Sequence, residues 1–269
     1  MASSGIAHNS RVEASKDQNY EELKKEHLRA KKLFVDRTFV YNGTVKRPKD
    51  ISKTPKFISN GMTRADVVQG YLGNCWFMSA AASLTLRPQL LQHVVPPCQD
   101  FDCEYAGIFH FRFWQFGKWV DVVVDDQLPL DETGKTLKYG TSTDENEFWM
   151  PLLEKAYAKL KGSYEAIDGG FSKNAFVNLT GGIGELIKLR CCDPENLCKR
   201  AERALGRNSV MAAGILRESE EGLQGLFNLH SYSVTKIHKV TVEGKKMTLV
   251  RLRNPHGETE WTGDWSDDE

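Results

Sequence analysis

The sequence predicts an α+β chain in two lobes, the first rich in helix and the second largely antiparallel β. Three observations carry this. Phe148, Trp149, Leu152, Leu153, Ala156, Tyr157 and Leu160 recur at helical spacing through 147–160. Residues 108–116 and 119–124 alternate apolar side chains at period two, with Phe109, Phe111 and Phe113, then Val120, Val122 and Val124. Gly169-Gly170 and Gly181-Gly182 punctuate the middle, and after the second pair the pattern turns mostly to short strands, which places a hinge near Gly181.

Composition narrows the functional classes. Lys+Arg and Asp+Glu number 36 each, so no basic excess points to nucleic acid and no acidic block to a solvating tail. No apolar run approaches the ~18 residues a transmembrane helix needs. Met1-Ala2-Ser3-Ser4-Gly5 lacks the apolar core of an export signal, and Ala2 stands where myristoylation requires glycine. The expectation is a soluble, cytoplasmic protein. Cys75, Cys98, Cys103, Cys191, Cys192 and Cys198 match no common zinc spacing and are expected as free thiols.

Taken in order, residues 1–19 are polar and expected to be disordered. Tyr20 to Phe34 reads as a helix, and 35–57 as loop, its Lys46-Arg47-Pro48-Lys49 group solvated. A helix opens at Cys75. A hairpin at Gly117-Lys118 joins the two alternating strands, and Gly162 stops the helix after them. Leu197 to Leu205 reads as a helix. Strands follow at Val210–Leu216, Ser231–Ile237, His238–Val242 and Met247–Arg253, with a turn at Glu243-Gly244. The divisions are an N-terminal segment 1–55, a first lobe 56–181 and a second lobe 182–269.

The chemistry centres on Gln69-Gly70-Tyr71-Leu72-Gly73-Asn74-Cys75-Trp76. A thiol at a helix N-terminus is favoured as thiolate by the unpaired N–H groups there. Gln69 could offer an amide N–H to an oxyanion, although a buried structural cysteine opening a core helix is the plain alternative. His230 opens a strand, and Asn254 ends the next strand but one. The pair could meet across the sheet, as a base and its orienter must in a Cys-His-Asn arrangement. By themselves, a histidine at a strand end is ordinary and an asparagine before Pro255 is turn chemistry.

These stretches, with Tyr105-Ala106-Gly107-Ile108-Phe109-His110-Phe111, Trp119 to Asp126, Asn146-Glu147-Phe148-Trp149, Leu153 to Leu160, Thr180-Gly181-Gly182, His230 to Thr235, Arg253-Asn254-Pro255 and Glu260 to Asp267, closely resemble the protease core of a calpain. The resemblance runs from about Tyr20 to the last residue. It implies a papain-like fold with Cys75 as nucleophile, His230 as general base, Asn254 as its orienter and Gln69 at the oxyanion position. It further implies one calcium ion per lobe. Asp66 and Glu147 with carbonyls near Ser59 and Gly61 would hold the first, and Glu260 and Asp267 part of the second. Protein substrates in the cytosol, cut at few places, go with it. A regulatory subunit or inhibitor protein is compatible with it but not readable.

Departures qualify the expectation. His256 stands where the family usually has Trp, which should leave the His230–Asn254 pair more exposed. Leu229 stands where glycine commonly precedes the histidine, and Asn74 where Asp is frequent. The chain stops at Glu269, short of further strands and ligands in the family, so an incomplete second lobe is expected. Glu260 and Asp267 alone fall short of the ~6–8 oxygens calcium takes. The alternative reading is a truncated or variant member with weak or no proteolysis, acting by binding or regulation. A transglutaminase is disfavoured because Asn254, not Asp, is the orienter.

Overall fold

In the computed structural model, residues 12–215, 224–257 and 259–266 are described. Of the disordered start expected over 1–19, residues 1–11 lie outside them, as do the strand end at Leu216 and the ligand Asp267, whereas 12–19 are ordered, because Glu13 and Ala14 pair with Val120 and Asp121.

β1 (Glu13–Ala14) leads to α1 (Tyr20–Ala30), whose first turn is capped by the Asn19 side chain accepting the Glu22 N–H. Left-handed Lys31 ends α1 before the expected Phe34, which turns inward to pack with Tyr20, Ile108 and Val123. β2 (Val45–Lys46) and α2 (Pro48–Ile51) occupy the supposed loop. Its basic cluster is not simply solvated: Arg47 pairs with buried Asp126 and donates to the Phe34 carbonyl, and Lys49 lies over the Tyr105 ring.

α3 (Cys75–Leu84) is buried along its whole length. That explains its lack of a polar face and its Ala80-Ala81-Ala82 run, because small side chains let elements close in from two sides. α4 (Pro88–Val94) follows, starting on a proline at the position where its missing N–H costs nothing. β3 (Ile108–Gln115) and β4 (Lys118–Asp125) then form an antiparallel hairpin, joined at its other edge by β1, parallel to β4. The turn residues are Phe116 and Gly117, both with positive φ, one position earlier than expected. β5 (Leu128–Pro129) pairs with β2.

α5 (Trp149–Lys161) and α6 (Ser172–Thr180) pack on the hairpin. Phe109, Phe111 and Phe113 face them and are fully buried, worth about 1.5–3 kcal/mol each. The opposite face of β3 is covered too, since the Tyr20 ring stacks on His110 at 3.8 Å. α7 (Pro194–Gly206) starts before the expected Leu197, because Asp193 caps it and Pro194 opens it.

β6 (Ala212–Ile215), β7 (His230–Val242) and β8 (Lys245–Arg253) form a three-stranded antiparallel sheet in the order β6-β7-β8. The two strands expected across 231–242 are one. Asn254 therefore follows the strand adjacent to His230, not the next but one. Glu243 and Gly244 turn the hairpin with positive φ, as expected. A bulge interrupts it: Val234 faces Leu252 but Lys236 faces Arg251, so Thr235 has no partner residue. The Thr235 hydroxyl donates to the Arg251 carbonyl at 3.1 Å and accepts from Arg251 Nε at 2.8 Å. β7 lies on α3, which brings the sheet to the cysteine.

Candidate active site

Cys75 is the first residue of α3, with Asn74 as N-cap. The loop delivering it needs glycine twice. A Cβ on Gly70 would stand 2.2 Å from the Tyr139 carbonyl oxygen, and one on Gly73 2.5 Å from Asp168 Oδ1. The Gly73 N–H donates to that carboxylate at 2.9 Å, and the Gly73 carbonyl accepts the Gly169 N–H at 2.8 Å.

The ends of β7 and β8 meet this loop. His230 Nε2 lies 2.8 Å from Asn254 Oδ1. With its proton on Nε2 the ring donates to the amide and keeps Nδ1 as its basic nitrogen. Asn254 Nδ2 donates to Thr259 Oγ1 at 3.0 Å, which sets the direction of the amide. His256 stacks on His230 with ring centroids 4.9 Å apart and planes 19° from parallel, and Phe227 packs at a steep angle to both rings. The His256 N–H also donates to Asn254 Oδ1 at 3.1 Å. Under this cover His230 is only 5% exposed, while Asn254 is half-buried. One flat ring stands in for another.

Hydrogen bonds join the lobes around the site. The Gln69 N–H donates to the Pro255 carbonyl at 3.0 Å, and Arg253 Nη1 to the Val67 carbonyl at 3.1 Å. Ser231 Oγ lies 2.9 Å from Ser79 Oγ on α3 and 2.7 Å from Ser172 Oγ on α6. The Cys75 thiol donates to the Leu229 carbonyl at 4.0 Å, and none of the hydrogen bonds among the described residues joins it to His230. Leu229 has φ 51, a left-handed conformation that costs a side-chain-bearing residue about 1–2 kcal/mol. Glycine enters it freely, which is the physical reason for glycine before such a histidine.

Burial pushes the Cys75 thiol above its ordinary range. Backbone N–H groups of Ser231, Trp76 and Cys75 itself pull it down without overcoming burial. The helix start thus acts as expected, but desolvation decides. His230 is held below its ordinary value by burial, with the neighbouring His256 adding to the effect and the Asn254 bond opposing it. Near neutrality the resting site is a thiol beside a neutral imidazole. Gln69 Nε2 donates to the Leu72 carbonyl at 2.8 Å within its own loop, and Gln69 Oε1 is buried without a partner.

Residues 20–269 match the profile of the calpain family cysteine proteases. The chain belongs to the calpain family. It is 54% identical to human Calpain-12 over 223 residues, covering 82% of this chain and 31% of that one. It is 43% identical to the mouse Calpain-2 catalytic subunit over 289 residues, covering 99% and 41% respectively. It is 44% identical to the human Calpain-1 catalytic subunit over 273 residues, covering 93% and 38%. The chain thus spans 31–41% of the length of these relatives.

In this calpain-family chain two of the candidate calcium-ligating acids are gathered. Asp66 closes a capping box, taking the Thr63 N–H at 2.5 Å and the Thr63 hydroxyl at 3.0 Å. Glu147 is buried, taking the Ser59 N–H at 2.6 Å and the Ser142 hydroxyl at 2.8 Å. Burial pushes its carboxyl up, and the nearby charges of Asp66 and Asp144 push it further. Asp144 was not foreseen; its signal is the Asp144-x-Asn146 turn, where the carboxylate takes the Asn146 N–H at 2.9 Å. The mutual repulsion of Glu147 with Asp66 and Asp144 fits a hard, oxygen-seeking cation. Among the described residues no three His, Cys, Asp or Glu side chains converge as a ready metal cluster. Glu260 is exposed in its segment.

Proposed function

We propose that this chain is a calcium-dependent cysteine endopeptidase making limited cuts in cytosolic proteins through Cys75, His230 and Asn254. The 2.8 Å bond between His230 Nε2 and Asn254 Oδ1, held beside the N-terminus of α3, supports this most. In the reaction His230 Nδ1 takes the thiol proton as Cys75 Sγ bonds to a peptide carbonyl carbon. The C–N bond then breaks, the amine leaves with the proton from His230, and a thioester remains. Water, giving a proton to His230, hydrolyses the thioester and restores the thiol. The Cys75 N–H and Gln69 Nε2 hold the oxyanion, Gln69 using the second of its two N–H groups while the first stays on Leu72.

Asp66, Glu147 and the carbonyls of Ser59 and Gly61 would hold calcium in the first lobe, with Glu260 and Asp267 contributing in the second. The ion supplies positive charge that offsets the repulsion among Asp66, Asp144 and Glu147. The weak-activity reading has support of its own: Leu229 is strained, the thiol bonds to a carbonyl, and both reacting groups rest neutral.

Casein digestion with millimolar calcium tests these readings, alongside Cys75→Ser and a chelator control. Cleavage lost in both controls supports the calcium-dependent peptidase. Cleavage that persists in Cys75→Ser removes Cys75 as nucleophile, and cleavage indifferent to chelation removes calcium. Intact casein, with Cys75 still reacting with iodoacetamide, favours the weak-activity reading.

A further inference from the structure

Glu154 lies in the middle of α5 with its side chain enclosed, 1% exposed, and takes no part in the scheme above. Asn74 Nδ2 donates to one of its carboxylate oxygens at 2.6 Å, and the Gly140 N–H donates to the other at 2.8 Å. Asn74 is the residue before Cys75. Its carbonyl takes the N–H groups of Phe77 and Met78 at 2.8 and 3.0 Å, so its orientation sets the first turn of α3 and the aim of the thiol. Gly140 belongs to the segment on which the loop rests. There the Tyr71 N–H donates to the Lys138 carbonyl at 3.0 Å, and Val68 and Thr141 exchange backbone bonds at 3.0 and 2.9 Å.

A charge is an expensive way to fill this space. The groups facing Glu154 are Asn74, Gly140 and the phenols of Tyr139 and Tyr164; both phenols are pushed up by burial, to which the Glu154 charge adds, and stay protonated. Among the described residues no cation acts on the carboxylate. Burial pushes the carboxyl up to about 7, the two hydrogen bonds opposing. Glutamine has the same size without that cost, but it has one acceptor oxygen for two donors. Among side chains of this size only the ionised carboxylate accepts from both.

We propose that Glu154 is a positioning residue of the nucleophile loop, its two oxygens tying Asn74 to Gly140 behind Cys75 and so aiming the thiol. The proposal rests on Cys75 being the reactive group. Protonation puts an O–H where an acceptor is needed, so the tie is complete only above about pH 7. Burial holds the thiol above its ordinary range and the His230 imidazole below its own, so the Glu154 step falls between those of the two reacting groups.

The test is the alkylation rate of Cys75 by iodoacetamide on the full chain, from about pH 5.5 to 9.5, read on the peptide carrying Cys75 and accompanied by thermal unfolding. The wild-type profile should show an inflection near neutrality. Glu154→Gln should lose that inflection and react about fivefold slower at pH 8, while keeping its thermal midpoint within a few degrees. Asn74→Ala, which removes one end of the tie, should lose the inflection as well. A wild-type profile in Glu154→Gln, or an inflection kept in Asn74→Ala, would overturn the proposal. Persistent casein cleavage by Cys75→Ser would instead sink the peptidase assignment, leaving this thiol measurement to stand or fall by itself.

Discussion

Ser231→Ala isolates how much the docking of the second lobe depends on polar contacts beside the site. The Ser231 hydroxyl is shared between Ser79 Oγ at 2.9 Å and Ser172 Oγ at 2.7 Å, one on α3 and one on α6. Each such bond contributes about 1 kcal/mol net. Ser79 and Ser172 still face each other at 3.3 Å, and Ser79 keeps the Trp76 carbonyl at 3.3 Å, so neither is orphaned by the change. The loss is therefore about 1–2 kcal/mol, and the midpoint should fall by about 3–6 °C for a chain of this size. Near-UV circular dichroism on heating reads the midpoint, and iodoacetamide reads Cys75. Because the Ser231 N–H restrains the Cys75 thiol from rising further, a loosened β7 should also slow alkylation. A midpoint within about 1 °C of wild type, with unchanged alkylation, would refute the reasoning and leave the docking to apolar contact alone.

Other outcomes follow from the same geometry. His230 has a folded value below its ordinary 6.5, so protonating it opposes folding, and its contribution to stability is lost as pH falls from 6.5 through the lowered value. Urea midpoints taken between about pH 7 and 5 should fall more steeply in the wild type than in His230→Gln; parallel slopes would assign the effect elsewhere. His256→Trp keeps a flat ring over His230 but removes a neighbouring positive charge, so the acid limb of Cys75 reactivity should move to higher pH; an unmoved limb denies that coupling. Leu229→Gly relieves about 1–2 kcal/mol of left-handed strain and gives back about 0.5–1 kcal/mol of backbone entropy, so stability should barely change. Its missing side chain should speed a bulky maleimide at Cys75 more than iodoacetamide, and equal acceleration would show that Leu229 does not narrow access. Phe111→Ala should cost about 3–5 kcal/mol, seen as a lowered urea midpoint, since that ring is fully enclosed between the hairpin and its helices.

Periodicity carried the hairpin and α5 because one face of each is apolar and long enough to count. It failed at α6, where Ser172-Lys173-Asn174 opens the helix with polar residues and no side chain caps the start. The division expected after Ile237 does not occur: β7 runs unbroken from His230 to Val242, and its one irregularity lies earlier, at Thr235. Arg47 read as solvent-facing because its partner Asp126 lies 79 residues away. At the site, Cys75, His230 and Asn254 were legible through resemblance; spacing alone says little about residues 154 apart, as Cys75 and Leu229 are. Burial of the thiol could not be read, since it is β7 that covers it. The pairing of Glu154 with Asn74 was hidden for the same reason, both residues being ordinary until the fold places them face to face.

The unpaired Thr235 has a consequence for inheritance along the chain. Side chains on a strand alternate faces, so one extra residue exchanges the faces of everything beyond it. From the Glu243-Gly244 turn back to Lys236 the hairpin keeps one phase; from Val234 to His230 it keeps the other. Were Thr235 to pair with Leu252 instead of bulging, the turn and both strands would remain, yet Asn254 would slide from opposite Tyr232 to opposite Ser233. The amide would then point away from His230. A single uncoupled threonine, some distance from any reacting atom, acts as the frame marker by which two strand ends find the same side of the sheet.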